Sequence, residues 1–206
     1  MKCPEILYED DNSLIVNKPA GLAVQGGERV KNSLDKILMQ IRTPAPLLVH
    51  RLDKDTSGVL LTAKGREAAA RISRLISGGK TVKQYIAVCA GRPGKPEGTI
   101  TDELLIRGIA KKSRTKYKVI KTSTLELEYS VLELELGTGR MHQIRRHLAM
   151  NGNPILGDDK YGDFALNKKL RKAGLKRLLL HASRLIIEEL HIDITAPLPE
   201  YFSPYT

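Results

Sequence analysis

A strand-like alternation that changes phase partway along is the feature that most constrains the fold of this chain. Between Leu125 and Leu136 the apolar side chains occupy first the odd and then the even positions: Leu125, Leu127, Tyr129 and Val131, followed by Leu132, Leu134 and Leu136. Successive side chains of a strand point to opposite faces of a sheet. The run therefore predicts a strand that contains a bulge or is shared between two apolar surfaces.

Short strand candidates alternate with a few amphipathic helices along the rest of the chain. The strand candidates are Ser13–Val16, Val59–Ala63 and Tyr85–Val88, and helices are predicted after Ser33 and over Glu67–Ile76 and Gln143–Met150. No internal repeat or low-complexity tract interrupts them. This irregular order predicts an α+β fold rather than a regular series of βαβ units. A length of 206 residues suits one domain with a sizeable core.

Positive charge limits the classes of function most strongly. Thirty-four Lys and Arg residues against 23 Asp and Glu residues give a net charge of +11, which favours a polyanionic partner. The chain has no Trp and no evident basic helix with an aromatic face, so nucleic acid is favoured over a membrane surface. There is no apolar run of membrane-spanning length, no signal peptide and no disulfide framework. We therefore expect a cytoplasmic protein that binds no membrane.

The basic residues are concentrated in two runs that contain no acidic residue. Arg107–Lys121 carries seven of them and Lys168–Arg177 carries six. Either run alone could be a solvated face. Two such runs in one basic chain favour a surface that follows a phosphate backbone.

A polar loop between two apolar segments is the first candidate for chemistry. Nine mostly polar residues, His50–Gly58, separate Leu47–Val49 from Val59–Leu61. Buried strands on both sides would make this loop a rigid mount, of the kind that catalytic groups occupy. Asp53 and Asp55 are its candidate carboxylates, although either could simply cap backbone N–H groups in a turn.

A second polar constellation, Gly137–His147, places glycines before a helix start that is rich in Arg, His and Gln. Such a segment suits a phosphate or a carboxylate, or it could be an ordinary joint between a loop and a helix. Metal chemistry lacks its usual residues, because His142 and His147 are five residues apart and do not share a helical face. No HExxH motif and no phosphate-binding glycine loop occurs. We expect no metal and no cofactor.

Motifs in a fixed order along the chain resemble those of the RluA-type pseudouridine synthases. They are Asn17–Gly21, His50–Asp53 with Thr56–Gly58, Lys83–Val88, Gly139–Arg145, Pro154–Asp158 with Tyr161–Gly162, and Leu180–Ala182. The resemblance implies the pseudouridine synthase fold, with a mixed, mostly antiparallel central sheet, flanking helices and a central RNA-binding cleft. It also implies that residues 1–206 form a single catalytic domain, without the accessory N-terminal RNA-binding domain of many relatives.

The chemistry implied by the resemblance is isomerisation of uridine to pseudouridine without a cofactor. Asp53, rather than Asp55, would be the catalytic aspartate, whether it attacks the sugar, attacks the base or removes a ribose proton. Arg145 would pair with Asp53, and Tyr85 would stack on the uracil and remove the proton from carbon 5. Arg51 would fill the space that a flipped-out uridine leaves. The residues implied to bind RNA are His50, Arg51, Lys83, Arg140, His142 and Gln143.

The expected substrate is 23S ribosomal RNA, and the expected enzyme is a monomer. Transfer RNA is the alternative substrate for the same chemistry. A non-catalytic basic protein that binds RNA as a chaperone is the alternative of a different class, and a metal-dependent nuclease is a more distant third. The joint presence of Asp53, Tyr85 and Arg145 favours the enzyme.

Overall fold

The computed structural model describes residues 4–27, 30, 32–124 and 127–206, and the chain divides into two compact units. The first unit comprises Met1–Val82 and Ala182–Leu198, and the second comprises Lys83–His181 and Pro199–Thr206. The chain therefore leaves the first unit after Val82, returns to it at Ala182 and leaves it again after Leu198.

The strands are β1 (Glu5–Glu9), β2 (Ser13–Lys18), β3 (Leu47–Leu48), β4 (Ser57–Ala63), β5 (Val82–Ala90), β6 (Glu97–Ile100), β7 (Glu103–Ile106), β8 (Ile109–Lys112), β9 (Thr115–Ser123), β10 (Tyr129–Leu136), β11 (Leu180–Ile187) and β12 (Ile192–Thr195). The helices are α1 (Leu34–Ile41), α2 (Arg66–Ser77), α3 (Gln143–Met150) and α4 (Phe164–Lys172), with short 3-10 helices at Glu188–Leu190 and Glu200–Phe202. None of the helices in the described ranges is long and apolar enough to cross a bilayer.

The first unit is built on the strand order β1–β2–β4–β11, with β3 beside β4 and β12 beside β11. Helix α2 packs Ile72 and Leu75 into a core with Ile15, Leu61 and Leu185. Every residue of β4 is buried, which explains why its sequence is an apolar run rather than an alternation.

Gly58, at the start of β4, has a φ of 112° and no room for a side chain. A Cβ atom at this position would lie 2.1 Å from the carbonyl oxygen of Ala182. Only glycine therefore permits the close approach of β4 to β11.

The second unit contains an antiparallel sheet in the order β5–β10–β9–β6 and a separate hairpin formed by β7 and β8. The register between β10 and β9 shifts between Val131 and Leu132, where the apolar pattern changes phase. Val131 faces Lys121 and Leu132 faces Val119, so the extra residue, Ile120, belongs to β9. The predicted irregularity is confirmed, and it lies on the neighbouring strand.

The α+β class is confirmed. The antiparallel pairs are β1–β2, β2–β4, β3–β4, β5–β10, β6–β9, β7–β8, β9–β10 and β11–β12. The predicted helix Gln143–Met150 is observed with those bounds, and the helix predicted over Glu67–Ile76 extends from Arg66 to Ser77. The strand predicted from Leu125 begins at Tyr129, and residues 125–126 lie outside the described residues. The predicted central cleft stays a prediction.

Candidate active site

The loop that carries Asp53 joins β3 to β4 in the first unit and is held by backbone hydrogen bonds. Within the loop, the Thr56 N–H donates to the Asp53 carbonyl oxygen over 3.2 Å. From outside, the Gly21 N–H donates to the Lys54 carbonyl oxygen over 2.9 Å. Leu52 is buried beneath the loop, whereas Asp53 itself is half-buried. Asp53 thus sits on a fixed backbone and is partly exposed.

Lys18 supports the same loop from inside the protein, where its side chain is fully buried. Its Nζ donates to the carbonyl oxygens of Pro19, Leu22 and Lys54 over 2.9, 2.8 and 3.0 Å. Burial lowers the pKa of Lys18 to about 7, and the charges of Asp55 and Asp53 act in the opposite direction. The Asn17–Gly21 motif therefore fastens the turn after β2 to the Asp53 loop, a role that the sequence did not reveal.

His50 ties the start of the loop to the neighbouring strand. The Leu61 N–H donates to Nε2 of His50 over 3.0 Å, so this nitrogen is unprotonated in the bond. Arg51, the next residue, is exposed. Contact with RNA stays a prediction for both residues, and His50 has a positioning role besides.

Thr56 ends the loop with a hydroxyl group that has no hydrogen-bond partner. Its side chain is 2% exposed, and Oγ1 is the buried side-chain oxygen or nitrogen without a partner among the residues described. Buried polar groups are nearly always paired, so this hydroxyl is an unfavourable group three residues from Asp53.

Tyr85 and Lys83 lie on β5 in the second unit. Tyr85 is 7% exposed and lies opposite Leu134 of β10 in the sheet. Lys83 is half-buried, and this burial lowers the pKa of its ammonium group below the usual value. The roles predicted for both residues remain predictions.

Arg145, on α3 in the second unit, is 4% exposed and forms a bidentate ion pair with Asp158. Its Nε donates to Oδ2 over 2.8 Å and its Nη2 donates to Oδ1 over 2.7 Å. The backbone N–H groups of Lys160 and Tyr161 also donate to Oδ1 of Asp158, over 2.9 and 3.0 Å. The Arg145 guanidinium carbon lies 5.3 Å from the centre of the Tyr161 ring.

The hydrogen bonds to Asp158 decide its ionisation. Burial acts to raise the pKa of Asp158, but hydrogen bonds from Arg145 and from the Tyr161 and Lys160 N–H groups outweigh it, and the pKa lies below its usual value. Arg145 is thereby fixed by an ionised carboxylate that the sequence did not identify as its partner. The predicted pairing of Arg145 with Asp53 stays a prediction.

Gln143 and His142, just before Arg145, form hydrogen bonds within the second unit. Gln143 is 3% exposed. Its Nε2 donates to the Arg114 carbonyl and to Thr115 Oγ1. Its Oε1 accepts from Thr138 Oγ1 and from the Arg140 N–H. His142, in the left-handed backbone region with a φ of 52°, has Nδ1 3.0 Å from the Tyr161 hydroxyl. RNA contact remains a prediction for both residues and for the exposed Arg140.

His147 is a further member of this cluster that the sequence did not assign. Its ring is fully buried, with Nε2 2.7 Å from Ser113 Oγ and Nδ1 2.9 Å from Thr115 Oγ1. Gln143 and His147 together fasten α3 to the start of β9, within the first basic run. In the described part of the chain, no group of three or more His, Cys, Asp or Glu side chains is placed to hold a metal ion.

Comparisons with known sequences find relatives whose descriptions agree with one another. Residues 12–150, more than half of the chain, match the sequence family described as RNA pseudouridylate synthase. The chain is 37% identical over 216 aligned residues to ribosomal large subunit pseudouridine synthase C of Rickettsia prowazekii (strain Madrid E), covering 96% of this chain and 69% of that protein. The enzyme of the same name from Haemophilus ducreyi (strain 35000HP / ATCC 700724) is 36% identical, covering 95% of this chain and 66% of that protein.

Solved structures show the same relationship. Human RNA Pseudouridylate Synthase Domain Containing 4 superposes with a TM-score of 0.84 at 28% identity, covering 97% of this chain and 90% of that chain. Human RNA Pseudouridylate Synthase Domain Containing 1 superposes with a TM-score of 0.81 at 27% identity, covering 97% and 85%.

Proposed function

The chain belongs to the RNA pseudouridylate synthase family and is an isomerase of uridine in RNA, and we propose that its substrate is large-subunit ribosomal RNA. The support for this substrate is the name shared by its relatives, ribosomal large subunit pseudouridine synthase C. We also propose that the enzyme acts as a monomer in the cytoplasm, a reducing compartment that suits the free, buried thiol of Cys89.

We propose Asp53 as the catalytic carboxylate. The observation that carries this assignment is the support of its loop, in which a fully buried Lys18 and the Gly21 N–H both bind the Lys54 carbonyl. A backbone fixed in this way holds a reacting group in position before the substrate arrives, which lowers the entropic cost of the reaction. The half-buried Asp53 retains access to a ribose.

Arg145 and Tyr85 carry the other proposed roles. The bidentate pair with Asp158 orients the Arg145 guanidinium, which is the property a cation needs to position a reacting anion. Tyr85, which is 7% exposed, is the proposed stacking partner of a flipped-out uracil, and its phenolic oxygen is the proposed acceptor of the carbon 5 proton. In the overall reaction the bond from uracil N1 to the ribose breaks, carbon 5 bonds to the ribose, and N1 gains a proton as carbon 5 loses one.

The test is pseudouridine mapping of ribosomal and transfer RNA from cells with and without the gene. We expect pseudouridine to disappear from large-subunit ribosomal RNA at one or more positions and to return when the gene is restored. Loss confined to transfer RNA would replace the proposed substrate. No loss in either RNA would favour the non-catalytic binding protein. Activity of the purified enzyme in excess chelator would exclude the metal-dependent nuclease.

A further inference from the structure

The buried residue of helix α4 is polar, and the half-buried Leu166 and Leu170 lie beside it on the helix. Asn167 is the buried residue of this helix. Its Oδ1 accepts from the Gly157 N–H over 2.8 Å, and its Nδ2 donates to the Asp158 carbonyl over 2.8 Å. Asp163 caps the helix by accepting from the Leu166 N–H over 2.9 Å. The helix is therefore fixed in place while most of its surface faces solvent.

The exposed surface of α4 carries four cations without acidic partners. Lys168, Lys169, Arg171 and Lys172 are all exposed, and no ion pair joins any of them to a described Asp or Glu residue. Some surface cations elsewhere are paired, as in Arg42 and Lys64 with Glu9, Lys80 with Glu189, Lys116 with Glu135, and Arg184 with Asp193.

These positively charged side chains are close enough on the helix to repel one another, and a bound anion would reduce this repulsion. Lys168 lies three residues before Arg171 and four before Lys172, so its side chain is a neighbour of both on the helix. Like charges at this spacing destabilise a helix, and a bound polyanion would remove that cost.

An exposed aromatic ring continues the same face. Phe164 is 64% exposed and lies one helical turn before Lys168 and two turns before Arg171. Phe202, the other phenylalanine of the chain, is fully buried. An exposed ring in line with cations is the combination by which proteins bind single-stranded nucleic acid, with the ring stacking on a base and the cations neutralising phosphates.

We propose that Phe164, Lys168, Arg171 and Lys172, the α4 stripe, form a binding site for an unpaired segment of the RNA substrate, in addition to the site that holds the reacting uridine. The proposal rests on the proposed function for the identity of the ligand. An unpaired segment fits better than a continuous duplex, because a base must be free of its stack to lie on Phe164. The site contributes affinity and takes no part in the chemistry.

The test compares matched variants in binding to a labelled single-stranded oligouridylate over a series of salt concentrations. Lys168→Gln/Arg171→Gln removes two unpaired cations, and the control Lys80→Gln/Arg184→Gln removes the same charge from cations paired with acids. Each phosphate contact on a single strand contributes about −0.7 to the slope of log affinity against log salt. We expect the α4 variant to flatten this slope by about 1.4 and the control to leave it nearly unchanged.

Phe164 is tested by a conservative series. Phe164→Leu keeps an apolar side chain and removes the stacking ring, and it should weaken binding by roughly 5- to 100-fold without changing the salt slope. Phe164→Tyr should restore binding. Equal slopes for the two double variants, or unchanged affinity in Phe164→Leu, would overturn the proposal.

These experiments also distinguish failure of the α4 stripe proposal from failure of the proposed function. Pseudouridine formation at saturating RNA should survive in all of these variants. Wild-type protein that forms no pseudouridine, but still binds through the α4 stripe, would overturn the proposed function alone. Wild-type protein that forms pseudouridine while the α4 variants bind normally would overturn the α4 stripe alone.

Discussion

The guanidinium of Arg145 and the carboxylate of Asp158 form a buried ion pair with two hydrogen bonds, in which the two side chains are 5% and 1% exposed. The carboxylate also accepts the Lys160 and Tyr161 N–H groups, so its replacement would leave several buried donors unsatisfied. Asp159, the next residue, contacts the same Nη2 over 3.4 Å but has a side chain that is 70% exposed. The pair of neighbouring aspartates therefore provides a variant and its control.

Asp158→Asn should lower the free energy of unfolding by about 3–5 kcal/mol, because it removes one partner of a buried pair and leaves the other charge uncompensated. Asp159→Asn should cost less than about 1 kcal/mol, as is usual for an exposed ion pair. Urea denaturation of both variants measures the difference. Similar losses would show that burial of Asp158 does not decide the strength of its contact with Arg145.

The protonation of Lys18 should make stability depend on pH. The pKa of this group is about 7 in the folded protein and about 10.4 in an unfolded chain, so between these values the unfolded state binds a proton that the folded state lacks. The free energy of unfolding should therefore rise with pH from about 7 upward, with a limiting slope of about 1.4 kcal/mol per pH unit for this group. Lys18→Met, although less stable overall, should lose this contribution. Parallel stability curves for the variant and the wild type would contradict the buried-lysine account.

The hydroxyl of Thr56 should be dispensable for folding. Thr56→Val replaces a buried hydroxyl without a partner by a methyl group of similar size, and it should leave stability unchanged or raise it by about 1 kcal/mol. Thr62→Val is the control, because Thr62 Oγ1, also buried, donates to the Leu14 carbonyl over 2.8 Å. This second variant should lose about 1–3 kcal/mol, since it leaves that carbonyl with one partner fewer. Destabilisation of Thr56→Val by the same amount would mean that its hydroxyl has a partner, such as a buried water molecule.

The hydroxyl of Tyr85 is tested by its removal. Tyr85→Phe keeps the ring for stacking and should keep RNA affinity, while turnover should fall by roughly 10²–10⁴, the usual contribution of a positioned acid or base. Single-turnover kinetics on RNA that contains 5-fluorouridine at the target provides the diagnostic comparison. This analogue has no carbon 5 proton, so Tyr85→Phe should process it almost as fast as the wild-type enzyme does. An equal loss on both substrates would require the proton-removal role to be withdrawn.

The sequence predicts those helices and strands in which buried apolar side chains recur at a regular spacing. The phase change in β10 marked the register shift opposite Ile120 because the buried Val131 and Leu132 face different sides of the sheet. Helix α4 escaped prediction because its buried residue, Asn167, is polar and only Leu166 and Leu170 repeat as apolar residues beside it. The hairpin of β7 and β8 escaped because its turn is formed by Arg107 and Gly108, both with positive φ, where Asn-Gly is the usual signal.

Some contacts of the candidate site could not be predicted from any pattern in the sequence. The motifs identified Asp53, Tyr85 and Arg145, but the partnership of Arg145 with Asp158 joins residues thirteen apart and has no periodicity. The support of the Lys54 carbonyl by Lys18 crosses thirty-six residues. Contacts of this kind depend on tertiary structure, which a single sequence does not encode in its local spacing.

The central claim, that Asp53 on its supported loop carries the chemistry, is tested most directly by pseudouridine formation in Asp53→Asn and Asp55→Asn, measured under single-turnover conditions on large-subunit ribosomal RNA that lacks the modification. Asp53→Asn should form no detectable pseudouridine and should bind RNA within about tenfold of the wild type, because the carboxylate is lost and the phosphate contacts remain. Asp55→Asn should retain most of the activity. Loss of activity in Asp55→Asn with its retention in Asp53→Asn would contradict the account.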